Sequence, residues 1–207
     1  LHIGSFLAVI VFFRKEILSF FIYRKILILI IITSLPIILS GYLIAQSGII
    51  NDLRSLKVIG WTTVVFGILL YYSDKSESEK NLEINFDIKS ALIIGVFHIF
   101  SLIPGVSRSG IAITAARFLK FDRVNAARIS FLLSIPTLLA VSVFGVYNIY
   151  VTENFDIIKL NFSSIILSFI FSYITIAAFL TYIKKANLDI FVLYRIVLGI
   201  IILIFAY

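Results

Sequence analysis

Long apolar runs separated by short polar breaks fill this chain, and the lengths of the runs decide what the elements are. A helix crossing about 30 Å of hydrocarbon needs about 20 apolar residues. The run "ILILIIITSLPIILSGYLIAQ" at 26–46 meets that length, and Pro36 inside it predicts a kink, because its ring removes one ladder bond. "VIGWTTVVFGILLYY" at 58–72 is a shorter span that ends in a tyrosine pair suited to an interface. Three further spans are predicted at 129–150, 163–183 and 190–207. Residues 1–13, "LHIGSFLAVIVFF", read as the tail of another span, and 14–25, basic at both ends, as an interfacial helix or connector. The one long polar loop, 73–89, divides a first part, 1–72, from a second, 90–207.

Segment 90–120 fits none of these patterns. An apolar helix breaks at Pro104-Gly105, and a second short helix follows with Arg117 and Lys120. Each piece is too short to cross, which predicts a re-entrant hairpin that enters and leaves on one face. Charge gives the same answer. With a hairpin there, one face collects Arg14, Lys15, Arg24, Lys25, Lys75, Lys80, Lys89, Arg117, Lys120, Arg123, Arg128, Lys184 and Lys185. The other keeps Arg54, Lys57 and Lys159. Lys and Arg concentrate in cytoplasmic loops, so the crowded face is cytoplasmic, and 47–57 and 151–162 face outward. A full crossing at 90–120 would flip the last three spans and cancel most of the asymmetry.

Composition agrees with this all-α integral membrane reading. Of the 207 residues, 61% are hydrophobic and 14% charged, against about 45–50% and about 25% in ordinary globular chains. Mean hydropathy is +1.11. The absence of cysteine excludes disulfides and thiolate metal sites. The net charge of +7 belongs to membrane-flanking loops and does not indicate nucleic acid. The chain starts at Leu1 and contains no methionine, which reads as a fragment or trimmed product, and no signal peptide is legible.

"SLIPGVSRSGIAIT" at 101–114 carries the candidate chemistry. Irregular backbone survives at membrane depth only when buried in protein or lining a watery cavity. Gly105 and Gly110 permit close backbone approach. The start of the second helix presents free N–H groups at a positive dipole end. Ser107 and Ser109 add hydroxyls, and Arg108 adds a fork matched to phosphate oxygens. A cytoplasmic turn with capping serines and a snorkelling arginine is the competing reading. The cost of burying arginine favours the anion site.

"LIPGVSRSG", running on into "AARISFLLSIPTLLA", resembles the undecaprenyl-pyrophosphate phosphatases, bacterial membrane enzymes linked to bacitracin resistance. Pro104, Gly105, Ser107, Arg108 and Ser109 match the motif, and "LHIGSFLAVIVFFRKEI" and "YRIVLGIIIL" extend the likeness over nearly the whole chain. The resemblance implies a bundle of two inverted repeats, each a re-entrant hairpin followed by three spans, in the bacterial inner (plasma) membrane. It implies hydrolysis of undecaprenyl diphosphate to the monophosphate and phosphate, in recycling of the lipid carrier of cell-wall synthesis. Arg108, Ser107 and Ser109 then act as catalytic residues, and Pro104, Gly105, Val106, Gly110 and Thr114 as phosphate-binding ones, with His98 in possible support. The partners implied are undecaprenyl diphosphate and membrane lipid, with a homodimer left open.

Three departures qualify the resemblance. The family's N-terminal motif, with its carboxylate pair and its loop bearing serine and histidine, has no match here. A divalent cation, Mg²⁺ or Ca²⁺, is implied, and its ligands are expected in that motif. Ala112 stands where the family has threonine. His98 and Ser101 stand where glutamine and alanine are common, and a satisfied buried histidine is the expectation for His98. Outside the hairpin, Arg195 is expected to snorkel from the last span. Trp61 and the tyrosines at 71, 72, 147, 150 and 207 read as interface anchors. The acidic group Asp74, Glu77, Glu79, Glu83 and Asp87 reads as a solvated loop. Two other functions stay open: a transporter that flips a polyprenyl phosphate through the same cradle, and an inactive relative of the phosphatases.

Overall fold

The computed structural model describes residues 2–20, 24–47, 53–151 and 158–207. The helices are α1 (His2–Phe12), α2 (Arg14–Phe20), α3 (Arg24–Ser47), α4 (Leu56–Asp74), the single turn α5 (Leu82–Asn85), α6 (Ile88–Ile99), α7 (Arg108–Phe118), α8 (Arg123–Val151), α9 (Ile158–Ile183) and α10 (Asp189–Ala206). Among the described residues, five helices are long and apolar enough to cross a membrane: segments of α3, α8 and α9, and the whole of α4 and α10. The protein is an all-α, multi-pass membrane protein. Residues 48–52 and 152–157 of the outward loops expected at 47–57 and 151–162 lie outside the described residues, as do the side chains of Tyr147, Tyr150 and Lys159.

The break predicted at Pro104-Gly105 is real, and the α-helical gap around it runs over 100–107. Helix α6 ends in a 3-10 turn at Phe100–Leu102, and α7 starts at Arg108 and packs back against α6. The two helices have 12 and 11 residues, about 18 and 16 Å at 1.5 Å per residue, so neither crosses the bilayer. Helix α7 is buried on every side between α4, α6 and α8. Its composition explains how it fits: Ala112, Ala115 and Ala116, each at most 1% exposed, let three neighbours approach closely.

The long helices pair in a pattern that survives exchange of α1, α3 and α4 with α8, α9 and α10. Helix α1 packs on α8, and α4 on α10; α1 also packs on α9, as α8 does on α3. The α4–α10 crossing rests on two facing glycines. A Cβ on Gly60 would meet the Gly199 carbonyl at 3.3 Å, and one on Gly199 would meet the Gly60 carbonyl at 3.1 Å. Helix α6 lies against the proline turn of α3, where a Cβ on Gly95 would come within 2.6 Å of the Thr33 carbonyl and 3.1 Å of the Pro36 ring.

At the end of the bundle where α7 exits, the expected solvated loop is only partly solvated. Asp74 is 5% exposed. It accepts from Arg123 Nε at 2.7 Å and Nη2 at 3.0 Å, and from the Leu188 amide at 3.1 Å. Arg117 Nε lies 3.6 Å away. Nor is Arg117 a loop charge. Its guanidinium is buried and donates to Ser78 Oγ and to the carbonyls of Asp74, Ser76 and Phe121, all within 2.6–2.8 Å. These two residues tie the polar linker, the end of α7 and the start of α10 into one knot. Glu77 and Glu79 stay exposed, as the sequence reading has them, and pair loosely with Lys120.

Candidate functional site: the hairpin turn

The turn follows from its residues. Val106 N donates to the Ile103 carbonyl at 3.2 Å, and Gly105 has φ +89°. Proline in the second position and a positive-φ glycine in the third are the signature of a type II turn. Any other residue at 105 would be strained, and its Cβ would meet the Ile59 carbonyl of α4 at 2.5 Å. Side chains from two helices hold the turn. Thr62 donates to the Pro104 carbonyl at 2.7 Å and Arg195 to the Gly105 carbonyl at 3.3 Å; the Thr63 hydroxyl, 2.7 Å from the Ile59 carbonyl of its own helix, also lies 3.3 Å from the Gly105 oxygen.

Ser107 ends the turn and caps α7. Its backbone is extended, and its hydroxyl accepts from the Gly110 amide at 3.1 Å. Its carbonyl accepts from the Ile111 amide at 2.9 Å. A helix start leaves four amides without intrahelical partners. With Gly110 capped, the amides of Arg108 and Ser109 remain as donors beside the arginine side chain. Ser109 is exposed, and its hydroxyl lies 3.3 Å from that of Ser107. Arg108 is half-buried and reaches Thr137 Oγ1 of α8 at 3.5 Å, a long contact. No carboxylate among the described residues pairs with it.

Two cavities meet at Arg108. One, about 390 Å³, is lined by Ser5, Ser109, Ser130, Ser134, Ser172 and Thr175 from four helices, set among apolar side chains that include Phe131, Leu138 and Phe171. Ser5 Oγ lies 3.0 Å from Ser168 Oγ and 2.8 Å from Ser172 Oγ. The other, about 420 Å³, is apolar, formed by Ile37, Ile38, Gly41, Leu102, Ala140 and Val141, with Arg108 and Thr137 at its polar end. An anion held by α7 would thus have hydroxyl donors on one side and an apolar channel on the other.

The structure brings Pro104, Gly105, Val106, Ser107, Arg108, Ser109 and Gly110 into one cradle. Thr114 lies a turn deeper, 1% exposed, with its hydroxyl donating to the Gly110 carbonyl at 2.8 Å. Ala112 also faces the packed interior, 1% exposed. His98 is buried as expected, but neither ring nitrogen has a hydrogen-bond partner, so it is not the satisfied histidine predicted. Arg195 overturns its expectation outright. It is 4% exposed and turns inward to the hairpin instead of snorkelling, because Gly67 and Gly110 leave room for it. Among the described residues no three His, Asp or Glu side chains lie together, so they do not fit a divalent cation.

Sequence reasoning missed Arg195 and the hydroxyl lining. Both left a signal. Ser130, Ser134 and Thr137 recur at helical spacing along α8, and Arg195 shares one stripe of α10 with buried Val192 and Gly199.

Comparison with known proteins gives whole-chain matches. The undecaprenyl-diphosphatase of Pelagibacter ubique (strain HTCC1062) is 47% identical over 208 residues, covering all of this chain and 81% of that protein. Those of Elusimicrobium minutum (strain Pei191) and Jannaschia sp. (strain CCS1) are 37% and 33% identical, again over all of this chain and over 81% and 82% of their own lengths. The family model described as "Bacitracin resistance protein BacA" matches residues 1–201, and the chain belongs to that family.

Proposed function

We propose that this protein hydrolyses undecaprenyl diphosphate to undecaprenyl monophosphate and inorganic phosphate, with the diphosphate held at the start of α7. The observation that carries the reading is Arg108. A guanidinium with no carboxylate partner among the described residues stands on the first helical turn, beside two uncapped amides, inside a hairpin too short to cross. An intramembrane cation so placed calls for an anion that arrives from the bilayer. The names of the whole-chain relatives supply the substrate.

In the reaction, water attacks the terminal phosphorus and the bond from that phosphorus to the bridging oxygen breaks. The bridging oxygen leaves with the prenyl monophosphate. Negative charge spreads over the transferring group and the leaving oxygen. Arg108 offsets it with a bidentate fork, and the Arg108 and Ser109 amides and the Ser107 and Ser109 hydroxyls add preorganised donors. The apolar cavity at Ile37, Gly41 and Leu102 takes the first isoprene units, and the rest of the tail lies against lipid. The reaction retains the need for a divalent cation, Mg²⁺ or Ca²⁺, but no described residue is assigned to hold it. The face rich in Lys and Arg is assigned to the cytoplasm of a bacterial plasma membrane, and the lipid carrier is thereby returned to cell-wall synthesis.

The test is product analysis with purified full-length protein and undecaprenyl diphosphate, with Mg²⁺ and with Ca²⁺. Equal amounts of monophosphate and phosphate are expected. Movement of the lipid across vesicles with no phosphate release would move the reading to a transporter.

A further inference from the structure

The second arginine at the turn has no role in the reaction as described above. Arg195 enters from α10, far along the chain from the motif. Its stem crosses α4 at Gly67, where an added Cβ would lie 3.4 Å from Arg195 Cβ. Its guanidinium then wedges between the two motif glycines. Nη2 donates to the Gly105 carbonyl at 3.3 Å. Nη1 lies 2.5 Å from where a Cβ on Gly110 would stand. Two glycines, Gly67 and Gly110, thus make room for one side chain.

That placement is costly. Arg195 is 4% exposed, and no carboxylate among the described residues pairs with it. A buried cation without a counter-ion is strongly disfavoured, and one long bond to a carbonyl offsets little of the penalty. A leucine would fill the same space against the same glycines at lower cost. What the guanidinium adds is a charge behind the first turn of α7 and a grip on one carbonyl. That carbonyl matters because its oxygen is the negative end of a dipole within the cradle. Turned toward a bound diphosphate it would repel it; held against α4 and α10 it leaves the donors of the turn facing the anion. Thr63 holds the same oxygen, and Thr62 holds the neighbouring Pro104 carbonyl.

We infer that Arg195 is a positioning residue of the phosphate cradle: it pins the Gly105 carbonyl away from the anion and so orders the donors on the first turn of α7. The inference rests on the hydrolysis reading for its kinetic consequence but not for its binding consequence, and the two are measured separately.

Arg195→Gln, Arg195→Lys, Thr63→Val and the double variant Arg195→Gln/Thr63→Val are made in the full-length protein. For each, kcat and KM are measured on undecaprenyl diphosphate, inorganic pyrophosphate binding by calorimetry, and melting in detergent. Misplacing donors by about an ångström lowers turnover about a hundredfold. Arg195→Gln is therefore expected to lose kcat on that scale with KM changed less than about threefold. Arg195→Lys recovers part of the loss, because an ammonium also bonds a carbonyl. The double variant is expected to be non-additive, since both residues hold one oxygen. Pyrophosphate binding weakens about tenfold in Arg195→Gln, against wild-type binding in the same buffer. Wild-type kcat and wild-type pyrophosphate affinity in Arg195→Gln would overturn the inference while leaving hydrolysis in place. So would a loss of activity that matches the loss of folded protein and adds simply with Thr63→Val. If no form releases phosphate but pyrophosphate binding still falls in Arg195→Gln, the hydrolysis reading fails and the positioning role stands.

Discussion

Thr62 donates its hydroxyl to the Pro104 carbonyl at 2.7 Å, the shortest bond between the hairpin turn and the rest of the bundle. It fixes the turn to α4 at a point where the sequence offers only the pair Thr62-Thr63 in an apolar span. Thr62→Val keeps the shape and removes the donor. Leaving a buried carbonyl unsatisfied costs about 1–3 kcal/mol. Lower melting in detergent and a several-fold loss of phosphate release are expected, with Thr62→Ser close to wild type in both measurements.

On the function proposed above, Arg108 is the residue on which hydrolysis should depend most. Removing one preorganised donor to a transition state costs about 3 kcal/mol, or about a hundredfold in rate. Arg108→Ala is expected to fall at least that far in kcat. Arg108→Lys recovers little, since an ammonium keeps the charge and loses the planar fork. Initial rates of phosphate release at saturating substrate check this, and near-normal turnover in Arg108→Ala would reduce the arginine to an anchor.

The Asp74 knot and the Lys120 pairs give a contrast in magnitude. Asp74→Asn leaves buried Arg117 without its nearest anion, and breaking a buried pair costs about 3–5 kcal/mol. Lys120 is 46% exposed and its partners Glu77 and Glu79 are 78% and 59% exposed. Lys120→Ala should therefore change stability by less than about 1 kcal/mol. Melting curves of both variants, recorded together in one detergent, decide the comparison.

Asp87 caps α6, accepting from the Ser90 amide at 2.8 Å. Hydrogen bonds from Ser90 lower its pKa below the ordinary 3.8. The depressed folded value means the cap stabilises fully above the unfolded value and is lost as pH falls through the folded one. Asp87→Ala should cost about 1 kcal/mol at neutral pH. The gap between the two melting temperatures should narrow only once pH drops below 3.8, the ordinary value. A gap that stays constant down to strongly acidic pH would show that the cap's charge contributes nothing.

Orientation is open to chemical labelling because the native chain has no cysteine. Single cysteines at Arg54 and Glu77, both exposed, would be treated in intact cells with an impermeant thiol reagent. Labelling at 54 and protection at 77 is the expected result, and the reverse would invert the assigned topology.

The elements were legible where physics acts on a whole segment. Runs near 20 residues mark spans because hydrocarbon thickness sets their length, and the hairpin showed in both the Pro104-Gly105 break and the balance of Lys and Arg. Single side chains were harder. Asp74 stands among Glu77, Glu79 and Glu83, and nothing local separates the one buried carboxylate from its solvated neighbours. Arg195 lies near a span end, where distance to water suggests snorkelling. Its direction is set by the face it shares with Gly199, a periodic signal that distance from the end does not contain. His98 read correctly as buried, but its missing partners depend on contacts that no spacing records.

The shortness of α7 sets a depth. Its far end is anchored through Arg117 to the polar linker, and its 11 residues rise about 16 Å, close to half of the hydrocarbon thickness. With the polar linker at the membrane surface, as the charge pattern predicts, the first turn and Arg108 would lie near the middle of the bilayer rather than at the headgroup plane. On the function proposed above, a lipid diphosphate would sink by roughly half a membrane, about 15 Å, to reach it. That vertical journey grows in thicker bilayers and shrinks in thinner ones, so the thickness of the surrounding lipid becomes part of the work of substrate capture.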